Sequence, residues 1–358
     1  MADTPKPKPR RIPQLASAIL LCSMTALFAG ISLFGGKYDR AAETTVWQQL
    51  LRIHDRIWLA VGSDQLGSIY VTDERLLAQS EMPQPETLAA AADAVNSYAA
   101  AQSATVFLLA APTSAGIYSD TLPDSAPNAN EHQFLRRFSD LLDDPIVWLE
   151  ADSWLEAERD QYIYYRTDPC WTGYGAYCVY RSAIRRLGFN ANGYDKFAVR
   201  HCSGYYYGRL AEQAHYYDTM PDLVDIYTSH GGPQIVSVTA LRADGAAELP
   251  SYYLEDRAKE HPAEVFAAAA EPVLRIETEN RSSKDLLLLC DEFGCSMIPF
   301  LAQHYRTVTA VNMNLTDNSA LQMQAAGTYS QILILCGANT VSAPEHLIAL
   351  LTAPEADP

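Results

Sequence analysis

Hydrophobic and polar positions along the chain change pattern several times, and each change marks an element. Leu15 to Phe34 runs for twenty residues without a charge. That length crosses a bilayer as an α-helix. Lys6, Lys8, Arg10 and Arg11 precede the run, and a basic flank stays on the cytoplasmic side. This predicts a cytoplasmic tail at residues 1–11, a transmembrane anchor at 12–36 and a cell-membrane protein whose remainder lies outside. A cleaved signal peptide is the rival reading, but its apolar stretch is shorter, roughly 7–15 residues. Ala41 to Val61 then carries Trp47, Leu50, Leu51, Ile53 and Trp58 at helical spacing, so residues 37–79 read as a helical stalk.

Beyond residue 80 the pattern alternates between short apolar runs and helical stretches. Ala104–Ala111, Ile146–Leu149, Tyr162–Tyr165, Leu286–Leu289, Thr307–Val311 and Gln331–Leu335 read as strands. Thr87–Ala100, Glu131–Leu142, Tyr174–Leu187, Gly294–Tyr305 and Pro344–Leu351 read as helices. His201 to Ser251 reads as strands with loops, and Arg257 to Glu271 as a surface excursion. Apolar strands alternating with helices predict an α/β fold, with a parallel sheet covered on both faces. Sites in such sheets lie at the carboxyl ends of the strands, here just after Ala111, Tyr165, Leu289 and Leu335. The domain spans residues 80–352, and 353–358 form an acidic tail.

Composition narrows the partners. A net charge of −17 over 358 residues leaves no basic surface for a phosphate backbone, so no nucleic acid is expected. Seven cysteines are present. Cys22 falls in the predicted span, and Cys170, Cys178, Cys202, Cys290, Cys295 and Cys336 fall outside it. Their spacing contains no C-x2-C pair, so neither a metal nor any other cofactor is expected. Six outward-facing cysteines allow fifteen full pairings, and buried free thiols are the plain alternative. The 21 tyrosines suit half-buried strands, and a cleft where they stack on sugar rings is the functional alternative.

Two segments carry candidate chemistry. One is Tyr165-Arg166-Thr167-Asp168-Pro169-Cys170-Trp171-Thr172, followed by Gly175-Ala176-Tyr177. The other is Leu289-Cys290-Asp291-Glu292-Phe293-Gly294-Cys295-Ser296, followed by Pro299-Phe300-Leu301. Each leaves a strand end and enters a helix, where free N–H groups can face an oxyanion. At these residues the chain resembles the DHHW family, a relative of the alginate O-acetyltransferase-like proteins within the SGNH-hydrolase superfamily. That family reads roughly Tyr-x-Arg-Thr-Asp-His-His-Trp-Thr, and later Gly-Asp-Ser-Tyr-Gly-x-Ser. Tyr207-Gly208-Arg209-Leu210 matches a Tyr-Gly-Thr-Leu-like element, and Gly337-Ala338-Asn339 looks like the SGNH Gly-x-Asn element.

The resemblance implies a three-layer SGNH-like fold with a circularly permuted order of motifs. It also implies a Ser–His–Asp triad, in which a positioned base activates the nucleophile. Here Asp168 matches the Asp, Cys170 stands at the His position, and Glu292 stands at the Ser position. Arg166, Trp171, Asp291, Gly294 and Asn339 fall in the pocket or oxyanion region of the family. A carboxylate has no proton to give up and opposes a developing oxyanion; a thiol does not replace imidazole as a base. The expected function is therefore a cell-surface pseudoenzyme that binds a glycan, or assists a polysaccharide-modification protein. The alternative is a carbohydrate O-acetyltransferase or esterase with a modified site, for instance a Glu292–Asp168 carboxylate pair, with Glu292 as a plain helix cap the bland reading. Ser296 as a displaced nucleophile is the lesser option. By the same resemblance Cys170 and Cys295 border the former active site and can form a disulfide; Cys290 with Cys336 is the rival pair.

Overall fold

The structure, a computed structural model, describes residues 58–352 except 61, 124, 125, 127–129, 260, 261 and 317–328. The expected anchor, most of the stalk helix and the acidic tail lie outside the described residues. Among the described residues no helix is long and apolar enough to cross a membrane.

Strands β1 (Gln65–Leu66), β2 (Ile69–Val71) and β3 (Leu76–Ala78) form a small antiparallel sheet inside the stretch expected as stalk. Its Leu66, Ile69 and Leu76 pack with Leu210, Ala211 and Ala214 of the helix Arg209–Ala214. Strands β4 (Thr105–Ala111) and β5 (Val147–Glu150) follow. β6 (Phe197–Tyr206) and β7 (Asp222–Ser229) then pair as a separate ribbon. The remaining strands are β8 (Ile235–Arg242), β9 (Gly245–Glu248), β10 (Val273–Thr278), β11 (Asp285–Cys290), β12 (Thr307–Asn312) and β13 (Gln331–Gly337).

Eight strands form the main sheet, in the order β5-β4-β13-β11-β12-β10-β8-β9. The first five are parallel, and β10, β8 and β9 extend them antiparallel. The wholly parallel expectation is thus corrected to a mixed sheet. The burial pattern gives the reason. β13 is buried at every position, as a strand covered on both faces must be, whereas β8 and β10 alternate as strands covered mainly on one face.

Side chains of the central strands divide by parity. Phe107, Leu109, Leu288, Leu333 and Leu335 enter one core with the helix Gly173–Arg186. Val106, Leu108, Leu287, Leu289, Ile332 and Ile334 enter the other with the helices Pro85–Ala100, Glu131–Ser139 and Glu345–Leu351. The result is three layers.

Three local expectations change. Tyr162–Tyr165 is no strand; only Tyr164 makes a bridge, to Trp171. The helix expected over Gly294–Tyr305 is two short turns, Glu292–Cys295 and Ile298–Leu301, with Pro299 inside the second, where it lacks the N–H needed to continue an earlier helix. The expected surface excursion at Arg257–Glu271 buries Ala258, Val265, Ala267 and Ala268, because its alanines are small enough to lie against the sheet.

Candidate functional site

The Asp168 loop is held by a buried carboxylate from another element. Asp222, at the start of β7, accepts hydrogen bonds from the backbone N–H groups of Arg166 (2.7 Å) and Thr167 (2.9 Å) and from the Thr167 and Tyr162 hydroxyls. Burial raises the Asp222 pKa, against these donors. Thr167 in turn accepts from Gly208 N–H at 2.8 Å. Gly208 allows this approach, since a Cβ there would stand 2.5 Å from the Asp168 Cβ. Arg166 belongs to this lock: its guanidinium lies over the Tyr162 ring at 4.5 Å, with Nη1 4.0 Å from Asp222.

The second loop is organised by Asp291. It caps the turn Glu292–Cys295 by accepting from Phe293 N–H at 2.9 Å. Its other oxygen accepts from Gly337 N–H and the Thr340 hydroxyl, both at 2.7 Å. Asp291 therefore ties the exits of β11 and β13 together. Burial, then the charge of Glu292, pushes its pKa up to about 7 against those donors. Gly294 is a packing residue, because a Cβ there would meet the Cys290 Cβ at 2.3 Å. Asn339 lies exposed in the first turn after β13, with its Oδ1 folded back over Gly337.

Trp171 joins the two loops. Its Nε1 donates to Phe293 O (3.0 Å) and to Ser296 Oγ (2.7 Å), and its ring meets Phe293 edge-on at 5.1 Å. Ser296 also donates to Phe293 O at 3.2 Å. It is a buried structural hydroxyl rather than a displaced nucleophile.

Between the loops stands Arg209, a residue that the sequence reading passed over. Its backbone N–H and its Nε both donate to Asp168 Oδ2, at 3.1 and 3.2 Å, and Nη2 donates to Oδ1 at 3.2 Å. Nη1 reaches Glu292 at 2.7 Å. Nη2 also lies 3.1 Å from the Cys170 sulfur. Asn314 donates to the other Glu292 oxygen at 2.9 Å, and Tyr206 donates its hydroxyl to Asp168 at 3.2 Å. The positions expected to carry the triad are thus brought together, and a guanidinium links all three.

The electrostatics follow from this contact. Burial opposes ionisation of Asp168, but Arg209 outweighs it and holds the carboxyl below its usual range. Burial raises the Arg209-linked Cys170 thiol well above its ordinary value, and the charges of Asp168 and Glu292 raise it further. Despite burial, Arg209 itself is held more firmly protonated by the carboxylates of Asp168 and Glu292. A guanidinium that never deprotonates cannot serve as a base. Two carboxylates, the guanidinium and a protonated thiol thus form one hydrogen-bonded ion cluster. The sequence did hold one signal for Arg209: a cation stands where the Tyr-Gly-Thr-Leu-like element has Thr.

The expected Cys170–Cys295 disulfide is not formed. Cys170 faces Arg209, and Cys295 turns to Cys290 and to Asp291 O at 3.4 Å. The rival Cys290–Cys336 pair is also absent, and all six cysteines of the described residues are free. Among the described residues, no cluster of His, Cys, Asp or Glu could hold a metal.

Residues 61–228 match the family described as the SGNH hydrolase-like domain of acetyltransferase AlgX. No curated protein matches the chain in sequence. Among solved structures, a DHHW family protein from Eubacterium siraeum aligns with 80% of this chain and 96% of its own, at a TM-score of 0.69 and 18% identity. PatB1 from Bacillus cereus, solved with a sulfonyl adduct, aligns with 76% of this chain and 95% of its own, at 0.65 and 16%. A second structure of PatB1 aligns at 0.61 and 17%, over 76% of this chain and 96% of its own. These likenesses establish the α/β, SGNH-like fold and bear out the resemblance read from the two motifs.

Proposed function

We propose that this chain, whose residues 61–228 match the SGNH hydrolase-like domain of acetyltransferase AlgX, is a non-catalytic cell-surface protein that binds polysaccharide or assists its modification. One observation carries the reading: Arg209 bridges Asp168 and Glu292, at the positions where the family triad would place its Asp and its nucleophile, and its guanidinium also meets Cys170, at the position of the base. Acyl transfer needs a group that attacks and a base that takes its proton. Glu292 has no proton to give, Arg209 accepts none, and the Cys170 thiol is buried and held protonated. A Glu292 carboxylate would also repel the oxyanion that acyl transfer must stabilise. The N-terminal apolar run supports a single-pass anchor with this domain outside, which would place it beside a polysaccharide-modifying partner.

The test is an acyl-ester hydrolysis assay on three proteins. Wild type is expected to be silent. Glu292→Ser with Cys170→His is also expected to be silent, because Arg209 still occupies the space and charge between the two. Adding Arg209→Thr to that pair is expected to bring turnover above the uncatalysed rate by about 10³-fold or more, the residual scale of incomplete triads. Turnover by wild type that disappears in Glu292→Ala would overturn the reading and make Glu292 part of a modified mechanism.

A further inference from the structure

We infer that Asn192 is a site of spontaneous covalent modification: its side-chain amide leaves as ammonia through a cyclic imide formed with Gly193, and aspartate or isoaspartate remains in the chain. Asn192-Gly193 is the one Asn-Gly step in the sequence. It lies in the irregular loop between the helix Gly173–Arg186 and the turn Tyr194–Lys196. Both residues line an open depression of about 670 Å³, and Gly193 is exposed. The side chains of Asn96, Asn130, Asn280, Asn312 and Asn314 all hold hydrogen bonds that tie the fold together. Among the described residues, neither the Asn192 side-chain amide nor the Gly193 N–H has a hydrogen-bond partner. The electrophile and the nucleophile of ring closure are therefore adjacent, wet and unengaged.

Once the Gly193 N–H gives its proton to hydroxide, the nitrogen forms a bond to Asn192 Cγ. The bond from Cγ to Nδ2 breaks, and Nδ2 takes a proton from water and leaves as ammonia. A second water opens the imide. Addition at Cγ leaves aspartate, and addition at the main-chain carbonyl leaves isoaspartate, whose backbone runs through Cβ and Cγ. The net exchange is water in and ammonia out, with no oxidant or reductant. Gly193 permits the attack because no Cβ crowds its nitrogen or restricts its backbone. Ring closure swings the Asn192 carbonyl, which accepts only a 3.3 Å bond from the Tyr177 hydroxyl. It leaves in place the Asn192 N–H, which donates to the Tyr180 hydroxyl at 2.9 Å. That hydroxyl in turn lies 2.7 Å from His304 Nε2. Isoaspartate lengthens the main chain between this fixed N–H and Gly193, so the product pulls on the Tyr180–His304 contact. It also adds a carboxylate beside Asp195, whose Oδ1 already stands where a Gly193 Cβ would lie. Both effects oppose the folded loop.

The experiment is incubation of the full chain, solubilised in detergent, at mildly alkaline pH, followed by tryptic digestion and fragment mass spectrometry. The peptide from Leu187 to Lys196 holds both Asn190 and Asn192, and its fragments tell them apart. Wild type is expected to gain about one dalton at Asn192, the exchange of NH2 for OH, and its urea midpoint is expected to fall as the converted fraction grows. Gly193→Ala is expected to slow the gain about fivefold or more, equal to ~1 kcal/mol in the barrier, because a Cβ restricts the attacking backbone. Asn192→Gln is expected to show no gain and a midpoint that does not drift. Asn192 left intact in the folded protein, while the same chain unfolded in guanidinium converts, would overturn the site by showing that the fold protects it. Conversion without any fall in the midpoint would overturn the coupling to Tyr180 and His304.

Discussion

Arg209 is the residue on which the site turns. Its side chain is half exposed, while Asp168 is almost fully buried and Glu292 about a quarter exposed. Removing the guanidinium leaves a buried carboxylate without its strongest partner, and solvent reaching the arginine limits the loss. Arg209→Ala should therefore cost about 1–3 kcal/mol of stability by urea denaturation. Arg209→Lys should recover only part of this, because a single ammonium cannot donate to both carboxylates in a fork. His304 makes a different residue-scale prediction. It is buried against Tyr180, whose hydroxyl lies 2.7 Å from Nε2, and burial lowers its pKa to about 4. In the unfolded chain His304 takes up a proton near pH 6.5, while the folded ring resists it until about pH 4. The stability it contributes is intact above pH 6.5 and is lost as the pH falls to about 4. Relative to a His304→Gln variant, wild type should lose ~3 kcal/mol across that window, read from denaturation midpoints at each pH.

At the scale of elements, the site depends on two strand exits being pinned by carboxylates that do no chemistry. Asp222 fixes the Asp168 loop from β7, and Asp291 fixes the turn after β11 to the turn after β13. The close approach of that turn to its strand requires Gly294. Gly294→Ala would place a Cβ 2.3 Å from the Cys290 Cβ and 3.1 Å from its sulfur. It should destabilise the protein by about 1–3 kcal/mol, the cost of overpacking a filled core. Because the shift would move Glu292, the Arg209 contact should weaken as well. An Arg209→Ala, Gly294→Ala double variant should then fall short of the sum of the two single losses.

At the scale of the whole molecule, the described domain holds together by packing on both faces of one sheet, without covalent cross-links. All six of its cysteines are free, and five of them are buried. A denatured sample prepared without reductant should therefore yield at least six reactive thiols, and the urea midpoint should not move when dithiothreitol is added. Fewer thiols together with a reductant-sensitive midpoint would mean that a disulfide supports the fold. The charge of −17 acts at the same scale. It keeps the surface self-repelling.

Local pattern determined the parts of this protein that depend on local physics. The central strands were legible because a strand buried on both faces is an unbroken apolar run, as in Leu286–Leu289 and Gln331–Leu335. The helices over 85–100 and 173–186 were legible from their apolar stripes. The two site loops were legible because their residue types match a family motif closely enough to expose what had been replaced. The antiparallel half of the sheet and the small sheet at 65–78 were not legible, since alternation gives a strand's burial but not its partner. The Cys170–Cys295 bond was expected from motif position alone, whereas side-chain direction sent one thiol to Arg209 and the other to Cys290. Arg209 itself lies 41 residues beyond Asp168 and 83 before Glu292. Only the tertiary structure could place its guanidinium between them, because the free energy of that contact depends on distance through space and not along the chain.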